Sequence, residues 1–267
     1  MGRTVLSLNS YHGFSTEDAL AGAAKAGFKA VELCAVYGWT ENLHYEMTDS
    51  ELKKILEQMA DLGLSPVALS GHQELPQADG ISVFLKNMEL AHRAGIPLIV
   101  TGVGEVQSAS QEAQLFENLG KVAAKAEELN LQVGLEIHGN YLATGVKGNE
   151  IVQRVGSQRV GLNYDTGNVI FYGDVSPLVD LPRCLQNVLY VHLKDKKGGK
   201  GVWNFPAIGD GELSIESIRD VVKQAQYNGP VSIELEFTGE GNETLEDVNT
   251  AVEKSLKYMT SIDWVEV

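Results

Sequence analysis

The sequence predicts an α/β protein of the (β/α)8 TIM barrel class, built as a single domain over residues 1–267. One local unit recurs along the chain: an amphipathic helical stretch, a Gly or Asn that can end it, and a short run of strand-forming residues. Eight strand-then-helix units in 267 residues match a barrel of about 250 residues. An open doubly wound sheet would normally carry a glycine-rich phosphate turn after an early strand, and the GxG of TGVGEV (101–106) lacks the third glycine.

TVLSLNS opens the chain as a strand with no helix before it. AAKAGFKAVELC (23–34), MADLGLSPVALS (59–70) and LAHRAGIPLIVT (90–101) supply the next three helix ends and strands. AEELNLQVGLEI (126–137), VGSQRVGLNYD (155–165), LQNVLYVHLKD (185–195) and QYNGPVSIELEF (226–237) supply the last four. The Gly or Asn suits the left-handed conformation that follows many helices, and the Val, Leu and Ile after it suit strands buried on both faces. Helical periodicity fills the intervals, as in SELKKILEQMADLG and AQLFENLGKVAAKAEELN. The longest connection, KDKKGGKGVWNFPAIGDGELS (194–214), carries Trp203, Phe205 and Ile208, costly residues for a plain surface insertion, and is expected to be functional.

Composition narrows the function. Hydrophobic residues make up 43% of the chain, enough for a large core. Acids number 36 against 21 Lys and Arg, a net charge of −15, and the only dense basic cluster is Lys194, Lys196, Lys197 and Lys200, so a nucleic-acid partner is not expected. Cys34 and Cys184 lie far apart, which fits a reducing compartment and excludes a cysteine zinc site. The N-terminal MGRTVLSLNSYHG lacks the apolar core of a signal peptide, and no run approaches a membrane span of about 18 apolar residues. The expected location is cytoplasmic, without a membrane partner; a homo-oligomer is left open.

Side chains alternate across a strand, so parity separates the barrel interior from the helix-facing side. In QVGLEI, Val133, Leu135 and Ile137 face the helices, leaving Gln132, Gly134 and Glu136 inside. The same rule sends Asp165 inward from RVGLNYD, His192 from VLYVHLK, and Glu234 and Glu236 from VSIELEF. Each lies at the carboxyl end of its strand, the face where barrel active sites are assembled. Bare carboxylates gathered in a low-dielectric cavity repel one another, and a divalent cation removes that conflict. Three carboxylates and an imidazole suit Mn²⁺ or Mg²⁺, with Co²⁺ or Zn²⁺ as alternatives, and leave positions for substrate or water.

LEIHGN, NYDTGN, YVHLKD, IGDGEL and VSIELEF together resemble the xylose isomerase-like TIM barrel superfamily, and specifically its sugar phosphate isomerase/epimerase branch. The resemblance implies that Glu136, Asp165, His192 and Glu234 bind one divalent metal ion, Mn²⁺ ahead of the others, with Glu234 rather than Glu236 as the fourth ligand. It further implies that Glu136 and Glu234 act as base and acid on opposite faces of a small sugar or sugar-derived substrate. The reaction implied is isomerisation or epimerisation of a ketose or related polyhydroxy carbonyl compound through an enediolate. A lyase of the same fold, a keto-cyclitol dehydratase or keto-glycoside eliminase, shares the first step. His72, His138, Asn168 and Lys194 are candidate substrate contacts, Asn168 standing where the epimerases often carry a substrate-contacting histidine. Trp39, Tyr37, His44 and His12 are candidate pocket walls. The endonuclease branch is set aside, because its metal cluster needs more histidines and Asn168 replaces one of its ligands.

Overall fold

A computed structural model describes residues 3–264. Its strands are β1 (Thr4–Ser7), β2 (Ala30–Cys34), β3 (Ser65–Ser70), β4 (Leu98–Thr101), β5 (Gln132–Glu136), β6 (Val160–Asp165), β7 (Val188–Leu193) and β8 (Val231–Ile233). They close a parallel barrel in sequence order, with β8 pairing back onto β1. The helices that return the chain are α1 (Thr16–Ala26), α2 (Asp49–Asp61), α3 (Ala78–Arg93), α4 (Ala109–Leu129) and α5 (Gly145–Val155). Two short turns, α6 (Asn168–Phe171) and α7 (Pro177–Asp180), precede α8 (Ile215–Gln224) and α9 (Leu245–Ser261).

Local chemistry explains most of the boundaries. The side chains of Ser15, Ser108 and Thr144 each accept a backbone N–H in the first turn of α1, α4 and α5, satisfying donors that have no partner within the helix. Thr48 with Glu51 and Thr244 with Asp247 form reciprocal capping boxes on α2 and α9. Helix-ending residues in the left-handed region include Gly27 (φ 104°) and Asn130 (φ 54°), the latter tolerated because a short polar side chain costs little there. Two units depart from the expected pattern. The chain before β7 ends in a 3-10 turn, Leu185–Asn187, and before β8 the left-handed residue is Gln226 rather than Asn228 or Gly229.

The parity reading holds through the barrel. Val133, Leu135, Ile137, Val160, Leu162, Tyr164, Val191, Leu193, Val231 and Ile233 pack into the core shared with the helices. Burying each such side chain is worth about 1.5–3 kcal/mol, so this shell contributes substantially to closing the barrel. Val5, Ala30, Ala68, Leu98, Val100 and Tyr190 belong to a separate buried cluster that plugs the barrel interior. Above that plug the interior turns polar, with Ser7, Glu32, Glu136, Asn163, Asp165, His192, Ser232 and Glu234 all buried.

The long 194–214 connection is held by two polar clamps. The Asp195 carboxylate accepts the backbone N–H groups of Lys196, Gly209, Gly211 and Leu213 at 2.8–3.2 Å. Lys196, only 1% exposed, donates to the carbonyls of Lys197, Gly198 and Val202. A Phe205–Phe237 bridge then ties the loop to the chain after β8. Among the described residues no helix is long and apolar enough to cross a membrane.

Candidate metal centre and active site

Glu136 ends β5, Asp165 ends β6, His192 lies one residue from the end of β7, and Glu234 follows the last residue of β8. Register sets Asp165 opposite His192. One ligand atom from each of these four side chains lies within 4.8 Å of all the others, and all four residues are buried. His192 Nδ1 is 3.0 Å from Glu234 Oε2, 3.3 Å from Glu136 Oε2 and 3.9 Å from Asp165 Oδ2. The four residues singled out in the sequence therefore meet at one point, at the carboxyl ends of their strands.

Hydrogen bonds fix the outer atoms and leave inner ones free. Asp165 Oδ1 accepts the backbone N–H groups of Gly167 and Asn168 at 2.9 and 2.8 Å, which turns Oδ2 inward. Glu136 accepts Asn163 Nδ2 at 3.0 Å on one oxygen and Asn168 Nδ2 at 3.2 Å on the other. Glu234 Oε1 accepts from Asn9 Nδ2 at 3.1 Å and from the Ser7 hydroxyl at 3.3 Å. Asp165 Oδ2, His192 Nδ1 and Glu234 Oε2 remain buried without a hydrogen-bond partner. Buried polar atoms are rarely left so, and three of them converging is the pattern a bound cation satisfies. The donor set, carboxylate oxygens with one imidazole nitrogen, fits a divalent ion.

Lys194 places a competing positive charge beside the same cluster. Its ammonium lies 3.1 Å from Asp165 Oδ2, 3.1 Å from Glu234 Oε2 and 2.9 Å from Glu236 Oε2. Only the contact with Glu236 has hydrogen-bond geometry, so the lysine is directed at the outer acid while its charge reaches the inner two. One ammonium does not balance Glu32, Glu136, Asp165, Glu234 and Glu236.

The electrostatics follow from that excess of acids. Burial alone would lower the pKa of His192, but Glu32, Glu234 and Glu136 overrule it and hold the imidazole well above 6.5. Burial likewise opposes the charge on Lys194, and Asp165, Glu234 and Glu236 keep it protonated. Burial would raise Glu136, yet the charges of His192 and His72 bring it well below the ordinary carboxylate range. Asp165 is pushed up to about 7 by burial despite the nearby Lys194. Protons and an ammonium thus share the job a divalent cation would take over.

The remaining candidates separate into three groups. His72 reaches the cluster, with Nε2 3.1 Å from Glu136 Oε2 and Nδ1 3.0 Å from Ser70 Oγ. His138 sits further out, 5.4 Å from the His72 ring and bonded to the Tyr172 hydroxyl at 3.3 Å. Asn168 is 3% exposed and spends its amide on Glu136, so it orients a carboxylate instead of presenting an open donor. Among the expected wall residues, His12 and Trp39 line a cavity beside the cluster, whereas Tyr37 and His44 do not.

Glu32 was missed. It is 0% exposed in the middle of β2, accepts Ser7 Oγ at 3.1 Å and lies 2.9 Å from His192 Nε2, the nitrogen facing away from the cluster. A carboxylate behind a metal-ligating histidine fixes its tautomer and ring orientation. The same parity rule applied to AVELC, with Val31 and Leu33 facing outward, would have turned Glu32 inward.

A (β/α)8 barrel with a buried Glu–Asp–His–Glu cluster able to hold a divalent ion defines a class of metal-binding barrel proteins. Within it, a family model described as xylose isomerase-like TIM barrel matches residues 20–262, and the chain belongs to that family. It is 26% identical to inosose dehydratase from Clostridium botulinum over 82% of this chain and 82% of that protein. It is 25% identical to L-ribulose-5-phosphate 3-epimerase UlaE from Escherichia coli over 75% of this chain and 70% of that protein. A solved L-ribulose 3-epimerase superposes with a TM-score of 0.78 at 19% identity, covering 98% and 94% of the two chains, which shows the shared fold.

Proposed function

We propose that the protein is a divalent-metal-dependent sugar isomerase or epimerase that moves a proton next to the carbonyl of a ketose or related polyhydroxy compound. The observation that carries this reading is the convergence of Glu136, Asp165, His192 and Glu234 with inner atoms that make no hydrogen bond. Those four residues would hold the ion, which supplies positive charge against the negative charge that develops on a substrate oxygen as a neighbouring C–H proton leaves.

The chain's own groups account for the rest. Glu136 and Glu234 come from β5 and from the end of β8, strands separated by β6 and β7, so their carboxylates approach a bound sugar from different sides. One takes the proton and the other returns one, a role that suits carboxylates held in fixed orientations. Asn163, Asn168 and His72 fix Glu136; Ser7 and Asn9 fix Glu234. Lys194, buried beside the cluster, and His138, further out, carry polar hydrogens for substrate hydroxyls. Burial of the cluster excludes bulk water, which strengthens each charge interaction.

Mn²⁺ is the favoured ion, because three oxygen ligands and one nitrogen form a hard set that leaves sites open. A cytoplasmic setting is favoured by two buried free thiols, Cys34 and Cys184. The similarity to inosose dehydratase supports a second reading, loss of water after the same first proton transfer.

The test is solvent-deuterium incorporation into ketose substrates by Mn²⁺-loaded protein, followed by product mass. Epimerisation or isomerisation gives exchange with the product mass otherwise unchanged, and elimination gives loss of water or aglycone. Absence of exchange with every ketose, with metal bound, overturns the enzymatic reading.

A further inference from the structure

Beside the metal-ligand cluster lies a cavity of about 510 Å³, walled by His12, Phe14, Trp39, Trp203 and Phe237 and rimmed by acids. Its volume falls in the range of about 300–1,000 Å³ that accommodates a ligand with more than one ring. The cavity is joined to the catalytic side by Asn9. That amide donates to Glu234 Oε1 and to Glu236 Oε1, both at 3.1 Å, while its oxygen accepts from Trp39 Nε1 at 3.0 Å and from the Thr40 hydroxyl at 2.8 Å.

Both tryptophans are fixed in place. Trp39 stacks on His12 with 3.8 Å between ring centroids and 12° between planes, yet remains 51% exposed. Trp203 donates to the carbonyl of Glu236 at 3.3 Å and packs edge-on against Phe171 and Phe205. Gly239, at φ +72°, lets the neighbouring loop lie against the Trp203 ring, where a Cβ would come within 2.8 Å of it. The Lys196 clamp holds the Val202 carbonyl, next to Trp203, and so anchors that side of the wall. An indole that is held still and left half open to solvent offers a planar apolar face to a ligand at little entropic cost.

The charge of the cavity excludes one common class of sugar. Glu236, Glu240 and Glu243 line it, and among the described residues no lysine or arginine does. Arg93, Arg154, Arg159 and Arg219 are each paired with an acid elsewhere. Partial burial lowers the pKa of His12, which favours the neutral imidazole in the wall. A phosphate carried into this cavity would meet the Glu240 and Glu243 carboxylates and no lysine or arginine in its walls, since the nearby Lys194 ammonium is already shared among Asp165, Glu234 and Glu236.

We infer that the substrate is an unphosphorylated sugar bearing an uncharged second ring, and that this ring seats between Trp39 and Trp203 while the reacting carbonyl lies over the metal-ligand cluster. The inference rests on the proposed sugar chemistry and names its substrate class.

Binding to Mn²⁺-loaded protein, measured by calorimetry, tests it with three probes: D-fructose, fructose 6-phosphate and isomaltulose. The last two carry a phosphate or a neutral glucosyl ring on the same oxygen of fructose. Isomaltulose is expected to bind about tenfold tighter than fructose, and fructose 6-phosphate more weakly than fructose. Trp39→Ala and Trp203→Ala should each shrink the isomaltulose preference to about threefold or less. Glu240→Lys combined with Glu243→Lys, at the rim of the cavity, should raise the affinity for fructose 6-phosphate about tenfold. Fructose 6-phosphate binding tighter than fructose, or isomaltulose binding no tighter than fructose, overturns the inference. Metal content of the same samples separates the two levels: an empty centre is a failure of the proposed function, and a loaded centre that prefers phosphate is a failure of this inference alone.

Discussion

Replacing Glu32 with Gln removes one charge from behind His192 and little else. The Glu32 carboxylate is fully buried, 2.9 Å from His192 Nε2, and its other oxygen accepts Ser7 Oγ at 3.1 Å. A glutamine keeps the volume and one acceptor, so the barrel should fold, while the imidazole loses the carboxylate that makes it a stronger ligand. Outer partners of metal-bound histidines are worth about 10- to 100-fold in affinity, or about 1.4–2.8 kcal/mol. The full burial of both groups places this pair toward the upper end. Glu32 also helps raise the pKa of His192 in the metal-free protein, so the substitution weakens the competing proton as well. The loss should accordingly be larger at pH 8.5 than at pH 6, where proton competition masks part of it. Mn²⁺ titration by calorimetry at both pH values measures this. An affinity within twofold of wild type at pH 8.5, with the folded content unchanged, would refute the role given to Glu32.

Other consequences follow from the same cluster. Because neighbouring acids hold His192 protonated well above pH 6.5, metal uptake at pH 7 should release a proton. Below that raised pKa, apparent affinity should fall about tenfold per pH unit for each proton displaced. Heats of binding that do not vary with buffer ionisation enthalpy would contradict this. Chelation should lower the melting temperature: metal at 100 times its Kd adds about 2.7 kcal/mol, which for a chain of this size is roughly 5–11 °C by differential scanning calorimetry. Glu136→Gln should reduce solvent-hydrogen exchange into the substrate by about 10²- to 10⁴-fold at saturating Mn²⁺, and exchange at the wild-type rate would remove it from the chemistry. Asp195→Ala strips four backbone N–H groups of their acceptor and should expose the 194–214 loop to proteolytic nicking, whereas a wild-type digestion pattern would show that the clamp is dispensable.

The barrel was legible because its repeated helix end and strand are dictated locally, by left-handed residues such as Gly27 and Asn130 and by Val- and Leu-rich runs behind them. It was least legible before β7 and β8, where a 3-10 turn and Gln226 do the work expected of Asn187 and of Asn228 or Gly229. Alternation at the strand ends brought out Glu136, Asp165 and His192 together with both Glu234 and Glu236, and the family resemblance singled out Glu234 as the fourth. Glu32 obeys the same alternation but lies mid-strand among apolar neighbours, away from the strand ends where the other acids gather. Side-chain pairing across strands was not readable. Whether the Asn168 amide faces substrate or Glu136, and whether Lys194 turns to solvent or to Glu236, depends on how the turns after β6 and β7 settle over the barrel mouth. The cavity between Trp39 and Trp203 joins segments 164 positions apart and has no local signature.

Anomalous diffraction from crystals of the Mn²⁺-loaded protein, recorded at the manganese edge, bears most directly on the shared cation. A single strong peak enclosed by Glu136, Asp165, His192 and Glu234, with the Lys194 ammonium turned toward Glu236, is the result predicted here. A cluster without a peak, in which Lys194 alone bridges Asp165 and Glu234, would contradict it.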